Sequence, residues 1–308
     1  MVNKVVITGG SGFIGSHLVA ELLRRGGYDI TVIDLVKPKF EKVNFIEANI
    51  SELSKFKSSL LEADVVIHLA AMVGVDNCRN RPEMVKKTNG EDTKNFVDLC
   101  VSSKVKRFIF SSSSEIYGNS KKLPYNENDR PEPISLYAKF KLEIEDYLAK
   151  RSDKISVGVV RFFNVYGPMQ KEGFAVSNFV KAAISNAPIQ IFGNGDQTRC
   201  FTYIDDAVTG IIKLLEYNKS SFEIVNIGNP TEISIKKLAE MVLSSVPGTR
   251  SVIQFHDYAK DGIREASLEI DRRVPDVSKA KGLLDFEAKV DLQSGLIRII
   301  QSYATVRS

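Results

Sequence analysis

At 308 residues, with 43% hydrophobic and 26% charged side chains, the chain has the balance of a folded globular protein with room for a large core, which excludes disordered and fibrous classes. Lysine and arginine exceed aspartate and glutamate by 42 to 38 and lie scattered, with no basic block interleaved with aromatics. Nucleic acid is therefore not an expected partner, while the slight positive excess suits a small anionic ligand such as a nucleotide. No run of about 18 apolar residues predicts a membrane span, so no membrane partner is expected. The start, MVNKVVITGG, lacks the segments of a secretory signal, and the expected location is the cytoplasm. Cys78, Cys100 and Cys200 are widely spaced and odd in number, which fits neither a disulfide framework nor a metal cluster; they read as reduced, mostly buried small hydrophobes.

In chain order, short β-branched runs alternate with amphipathic stretches. The pattern predicts strands over 2–8, 29–34, 43–47, 64–69, 107–112 and 156–161, and helices near 13–25, 82–103 and 134–150. Such alternation builds an α/β fold, a Rossmann-type doubly wound parallel sheet with helices on both faces, and the continuous apolar character of the strands implies burial on both sides. From Gly167 onward the rhythm changes to Gly-, Pro- and Asn-rich turns, including FGNGDQTR, and the chain is expected to leave the sheet for a smaller C-terminal lobe. A helix starting at Ile204 and a strand over 222–227 can return to the sheet.

Gly9, Gly12 and Gly15 follow the first strand and open the first helix, in the run Gly-Gly-Ser-Gly-Phe-Ile-Gly. Glycines so placed let the backbone turn tightly and approach a pyrophosphate, whose charge the helix N-terminus favours; Phe13 and Ile14 belong to the same turn. The second strand ends at Asp34, about 20 residues past the last glycine, where a carboxylate accepts from ribose hydroxyls and repels a 2′-phosphate. NAD is therefore favoured over NADP, with Lys37 nearby as the opposing signal. Asn49 and Ile50 are positioned to border an adenine. Leu69, Ala70 and Ala71 end a further strand, where small residues let a ribose come close. The three histidines, His17, His68 and His256, have no carboxylates clustered at ligand spacing, so His68 reads as structural and no metal is expected. The resulting division is an NAD-binding domain over residues 1–168 with a return segment 204–227, and a substrate-binding lobe from 169–203 and 228–308.

Tyr137 and Lys141 lie four apart on a predicted helix and share one face. The serine-rich strand end Ser111-Ser112-Ser113-Ser114-Glu115-Ile116-Tyr117-Gly118 lies at the carboxyl edge of the sheet, where open α/β folds keep their ligands. A phenol becomes a base at neutral pH only if its pKa falls by about three units, roughly 4 kcal/mol of preference for phenolate. An ammonium about 4 Å away at an effective dielectric near 20 supplies about that much. Tyr137 could then take a hydroxyl proton as hydride leaves the same carbon, with a serine hydroxyl holding the alcohol oxygen.

GGSGFIG, Asp34, HLAA, SSSSEIYG, YAKFK, RFFNVYGP, FGNGDQTRCFTYIDD and RRVPDVSKAK together resemble the extended short-chain dehydrogenase/reductases of the NAD-dependent epimerase/dehydratase family, from residue 4 to about 300. The resemblance implies that Ser113 is the catalytic Ser or Thr, Tyr137 the proton acceptor, and Lys141 its electrostatic partner and a contact of the nicotinamide ribose. Asn89 matches a position that supports the site from beneath. In the substrate lobe, the resemblance puts Asn164 against the nucleotide diphosphate and Arg199 and Arg273 on the phosphates and ribose, a task suited to bidentate guanidinium groups. Phe192 is placed to pack on the base or in the core, and Ser114 to face the substrate. A homodimer through the helices near 82–103 and 134–150 is likewise implied by the resemblance, although their apolar faces could equally be satisfied within one subunit.

These features point to a nucleotide-diphosphate sugar whose C4 hydroxyl is oxidised by hydride transfer to NAD, giving a 4-keto intermediate that is epimerised, dehydrated or decarboxylated. Glu115 bears on that fate, since a carboxylate beside a 4-keto sugar can abstract the acidified proton at C5. A plain strand-end carboxylate paired with a lysine is its other reading. Ser-Ser-Glu resembles nucleotide-sugar dehydratases and UDP-glucuronate decarboxylases, whereas dTDP-glucose 4,6-dehydratases carry Asp-Glu, with Ser114 standing here in place of that Asp. Two alternatives remain: a hydroxysteroid-type or other small-alcohol oxidoreductase, which should lack the two phosphate-facing arginines, and a non-catalytic NAD-binding relative, which should lack the Tyr and Lys.

Overall fold

The computed structural model describes residues 3–217, 219–257 and 270–305; residue 2 of the first expected strand and residues 1, 218, 258–269 and 306–308 of the expected domains lie outside them. Strand β1 (Asn3–Thr8) turns into α1 (Phe13–Arg25), followed by β2 (Tyr28–Asp34) and β3 (Asn44–Glu47). Helix α2 (Lys57–Leu61) and β4 (Val65–His68) come next, then α3 (Val75–Asn80), α4 (Pro82–Lys86), α5 (Thr93–Ser102), β5 (Arg107–Ser113), α6 (Leu136–Ala149) and β6 (Ser156–Phe162). The helix expected over 82–103 is interrupted: α4 and α5 are joined by a π-type turn over Lys87–Asp92. The i→i+5 bonding of such a turn is a local departure inside a helical stretch that residue types alone do not mark.

The remainder begins with β7 (Val165–Tyr166), α7 (Ala175–Ile184), β8 (Ile189–Phe192), β9 (Thr198–Cys200), β10 (Thr202–Tyr203) and α8 (Ile204–Glu216). It continues through β11 (Phe222–Ile227), β12 (Glu232–Ser234), α9 (Ile235–Ser245), β13 (Ile253–His256), α10 (Ser278–Leu284) and α11 (Leu292–Thr305). Strand β11 returns to pair in parallel with β6, completing a seven-stranded sheet in the order β11-β6-β5-β4-β1-β2-β3. Every pairing in that sheet is parallel. The pairs β7–β10, β8–β13 and β9–β12 form small ribbons outside it.

The two-residue period of a strand sends alternate side chains to opposite faces. Val5, Ile7, Ile30 and Val32 pack with Leu18 and Leu22 of α1, whereas Val6, Val66, Phe108 and Val159 pack with Phe96 of α5 and Ile144 of α6. The first of these clusters continues through Phe179, Leu238 and Leu296, so the later helices share a core with the sheet. Because the strands are parallel, Thr8, Asp34, His68 and Ser113 all end at one edge.

Candidate active site

The glycine turn is shaped by close approach. Gly9 adopts φ +73°, and a Cβ there would stand 2.7 Å from Ala70 N; a Cβ on Gly15 would stand 2.1 Å from Gly9 O. Both must therefore be bare for the turn to close on β4 and on its own helix. At Gly12 a Cβ would meet only Gly9 O, at 3.2 Å, and the residue is exposed. Its bare Cα serves the outside of the turn. No side chain caps α1 at Gly12, and its first turn carries no acidic residue, so the positive helix end remains available to an anion. Phe13 and Ile14 are half-buried behind it.

Asp34 is tied to this turn: its Oδ2 accepts from Ser11 N at 2.9 Å and its Oδ1 from Val36 N at 3.2 Å. A carboxylate has lone pairs left for ribose hydroxyls. Leu69 N donates to Thr8 O, and Ala70 N to Thr8 Oγ1 at 3.4 Å, which brings the β4 end and Ala71 beside Gly9. Asn49 is half-buried, its Oδ1 accepting from Ser51, and Ile50 is buried in the wall. Asn89, inside the π-type turn, clamps the Met72 main chain with two bonds of 2.8 Å. Its support thus reaches the site through the loop after Ala71. The shape and the donor set fit a dinucleotide diphosphate and ribose.

At the other end of the edge, Ser113, Glu115, Tyr137 and Lys141 come together. Ser113 closes β5, accepts from Glu115 N at 3.2 Å, and has its side chain beside the Tyr137 phenol, whose ionised form it favours. Lys141 is buried; its Nζ donates to Ser111 O at 2.6 Å and lies 4.6 Å from the Phe110 ring centre and 5.5 Å from that of Tyr137. The expected lowering of the Tyr137 phenol by Lys141 is not found. Burial, then the negative charge of Glu115, push the phenol up, and only the Ser113 side chain opposes them among its main influences. The same burial brings Lys141 down to about 7, so near neutral pH its charge is only partial.

Ser114 is buried in the turn after β5, and Glu115 is half-buried with Ser135 Oγ donating to its Oε2 at 2.9 Å. Sequence reasoning missed Ser135, although a serine just before a helix is an N-cap signal. It also missed Cys78, which is half-buried near the Tyr137 backbone, with burial pushing its thiol up; Cys100 and Cys200 are the buried thiols expected. Nothing local marks Cys78, because tertiary packing alone brings α3 to α6. His68 is buried, bonded to Thr8 Oγ1 at 2.7 Å and stacked on Phe110.

In the later lobe, burial pushes the Tyr125 phenol up, and the positive charges of Arg273 and Arg199, both within electrostatic reach of it, oppose that rise. Arg273 is buried, yet its Nε has no hydrogen-bond partner. A guanidinium held this way is an orphan donor suited to an anion. Asn164 takes a left-handed φ of +37° and donates to Cys200 O at 3.0 Å. Phe192 ends β8 with its ring 5.6 Å from that of His256.

Comparison with known proteins agrees with this geometry. The profile described as NAD dependent epimerase/dehydratase family matches residues 5–228. The chain is 31% identical, over all of both chains, to a UDP-N-acetyl-alpha-D-glucosaminuronate decarboxylase of Bacillus cytotoxicus. It superposes with a TM-score of 0.91 on MoeE5 in complex with UDP-glucose and NAD, at 28% identity, over 99% of this chain and 100% of that one. The UDP-glucuronic acid 4-epimerase of Bacillus cereus, in complex with UDP-glucuronic acid and NAD, gives 0.89 at 30% identity, over 98% and 99%. A glycine turn at the mouth of α1, a Ser–Tyr–Lys group on the same edge, and a family profile spanning most of the sheet lead to one conclusion: the chain belongs to the NAD dependent epimerase/dehydratase family.

Proposed function

We propose that this protein is an NAD-dependent enzyme that oxidises C4 of a UDP-hexuronate, removes carbon dioxide from the resulting 4-keto acid, and re-reduces C4. The observation that carries the reading is the convergence of Ser113, Tyr137, Lys141 and Glu115 on the edge that also holds the glycine turn. The full-length similarity to a uronate decarboxylase supports it, the two arginines near Tyr125 favour a nucleotide sugar over the steroid-type alternative, and the Tyr137–Lys141 pair favours an enzyme over a non-catalytic relative.

The dinucleotide, held by Gly9, Gly12, Gly15, Asp34 and the Leu69–Ala71 edge, supplies the hydride acceptor and a positive charge when bound. Ser113 Oγ holds the C4 oxygen and Tyr137 takes its proton, which needs the phenolate that burial and Glu115 disfavour and that positive charge in the site would favour. Lys141 fixes the Ser111 carbonyl and, when protonated, favours the phenolate. A ketone at C4 is β to the C6 carboxylate, so the C5–C6 bond breaks with its electron pair entering the enolate. Glu115 then carries the proton that C5 requires. Arg199, Arg273 and Asn164 hold the diphosphate, Ser114 faces the sugar, Asn89 braces the loop after Ala71, and Asn49, Ile50 and Phe192 border the bases.

A second reading, C4 epimerisation of the same substrate class, is favoured by the likeness to the Bacillus cereus enzyme; it needs rotation of the keto sugar and no step at C5. We assign residues 1–168 and 204–227 to the cofactor, and 169–203 and 228–308 to the substrate. We further propose a cytoplasmic homodimer that pairs through the 82–103 and 134–150 helices. Incubation with UDP-glucuronic acid and mass spectrometry separates the fates: carbon dioxide loss supports the first reading, an isomer the second. Tyr137→Phe should retain NAD while reduction of the cofactor by substrate falls about a thousandfold; unchanged reduction removes Tyr137 from its role.

A further inference from the structure

Glu115 is anchored through a residue outside the Ser–Tyr–Lys group. Ser135 Oγ donates to Glu115 Oε2 at 2.9 Å and accepts from Ala138 N at 3.1 Å as the N-cap of α6. A hydroxyl has one proton to give. While one of its lone pairs accepts from the helix end, that proton goes to the carboxylate.

The contact closes a ring. Glu115 N donates to Ser113 Oγ at 3.2 Å, Ser113 lies beside the Tyr137 phenol, and Tyr137 lies two residues after Ser135. The end of β5 and the start of α6 thereby meet at both proton-handling side chains, and are tied through Glu115 by the Ser135 bond.

We propose that Ser135 is a positioning residue for the proton step at C5: it fixes the Glu115 carboxylate relative to the helix turn that carries Tyr137, so that C4 and C5 of one bound sugar meet both groups. The inference rests on the reading of Glu115 as the C5 proton carrier. Misplacement by even about 1 Å can slow a step about a hundredfold, so loss of the Ser135 contact should act on the C5 step selectively.

The test uses the full chain with NAD, UDP-glucuronic acid and heavy water, following reduction of the bound cofactor and deuterium entering C5 in one turnover. Ser135→Gly removes the hydroxyl while glycine remains an acceptable N-cap, and Ser135→Thr retains both functions. The expected result is a C5 rate that falls about tenfold more than cofactor reduction in Ser135→Gly, with recovery in Ser135→Thr. Equal loss of both rates, or an unchanged C5 rate, overturns the inference. Glu115→Gln identifies which claim has failed. If it abolishes C5 labelling while Ser135→Gly does not slow it, only the positioning role falls; if it leaves labelling intact, the reading of Glu115 falls as well.

Discussion

Lys141 and His68 are two basic side chains of one buried wall, and burial disfavours the charged form of each. His68 is brought down to about 3, first by burial and then by the charge of Lys141. Between that value and its ordinary 6.5, the unfolded chain binds a proton that the folded one refuses. His68 therefore contributes stability that is complete above about pH 6.5 and is lost as pH falls toward 3, on the order of 5 kcal/mol in all. The expected outcome is that the destabilisation caused by His68→Asn, measured by urea unfolding, shrinks as pH falls through that window. A constant difference would show that the imidazole is not held neutral. Lys141 follows the same sign at higher pH: its share of stability rises between about 7 and its ordinary 10.5.

Helix α6, which carries Tyr137 and Lys141, is registered against the sheet by more than its apolar face. Glu145, one turn beyond Lys141, accepts from Ser112 Oγ and forms a fully buried ion pair with Arg161 of β6, with NH2 to Oε2 at 2.6 Å. Arg161 also donates to Tyr117 Oη at 2.9 Å and to Glu127 O at 3.1 Å. Lys141 on Ser111 and Glu145 on Ser112 thus hold consecutive positions of β5, immediately before Ser113. Such a pair contributes little net stability, but breaking it strands a buried charge. Glu145→Gln should destabilise the protein by about 3–5 kcal/mol in denaturant titrations, and adding Arg161→Met should recover much of that. A near-neutral single variant would mean that water reaches the guanidinium.

Across the whole molecule, the apolar faces of α5 and α6 are spent on the subunit's own core through Phe96, Val97, Cys100, Ile144 and Leu148. Their outer surfaces carry polar and charged pairs, Lys94 with Glu143 and Asp98 with Tyr147 and Arg151. A dimer pairing these helices would join polar faces, and sedimentation at micromolar concentration should give the mass of two chains, weakening with salt; a single-chain mass would remove the proposed dimer. Among the described residues, no helix is long and apolar enough to cross a membrane. By itself the sequence determined the parallel α/β sheet, the glycine turn with Asp34, and the Tyr137–Lys141 pair. Each of these follows from residue type at fixed spacing within one strand–turn–helix unit, where local geometry leaves few choices. Only the tertiary structure decided the π-type turn around Asn89, the meeting of Cys78 and Ser135 with the catalytic corner, the orphaned donor of Arg273, and the upward push on the Tyr137 phenol. These depend on burial and on charges brought together from distant segments, and neither can be computed from spacing along the chain.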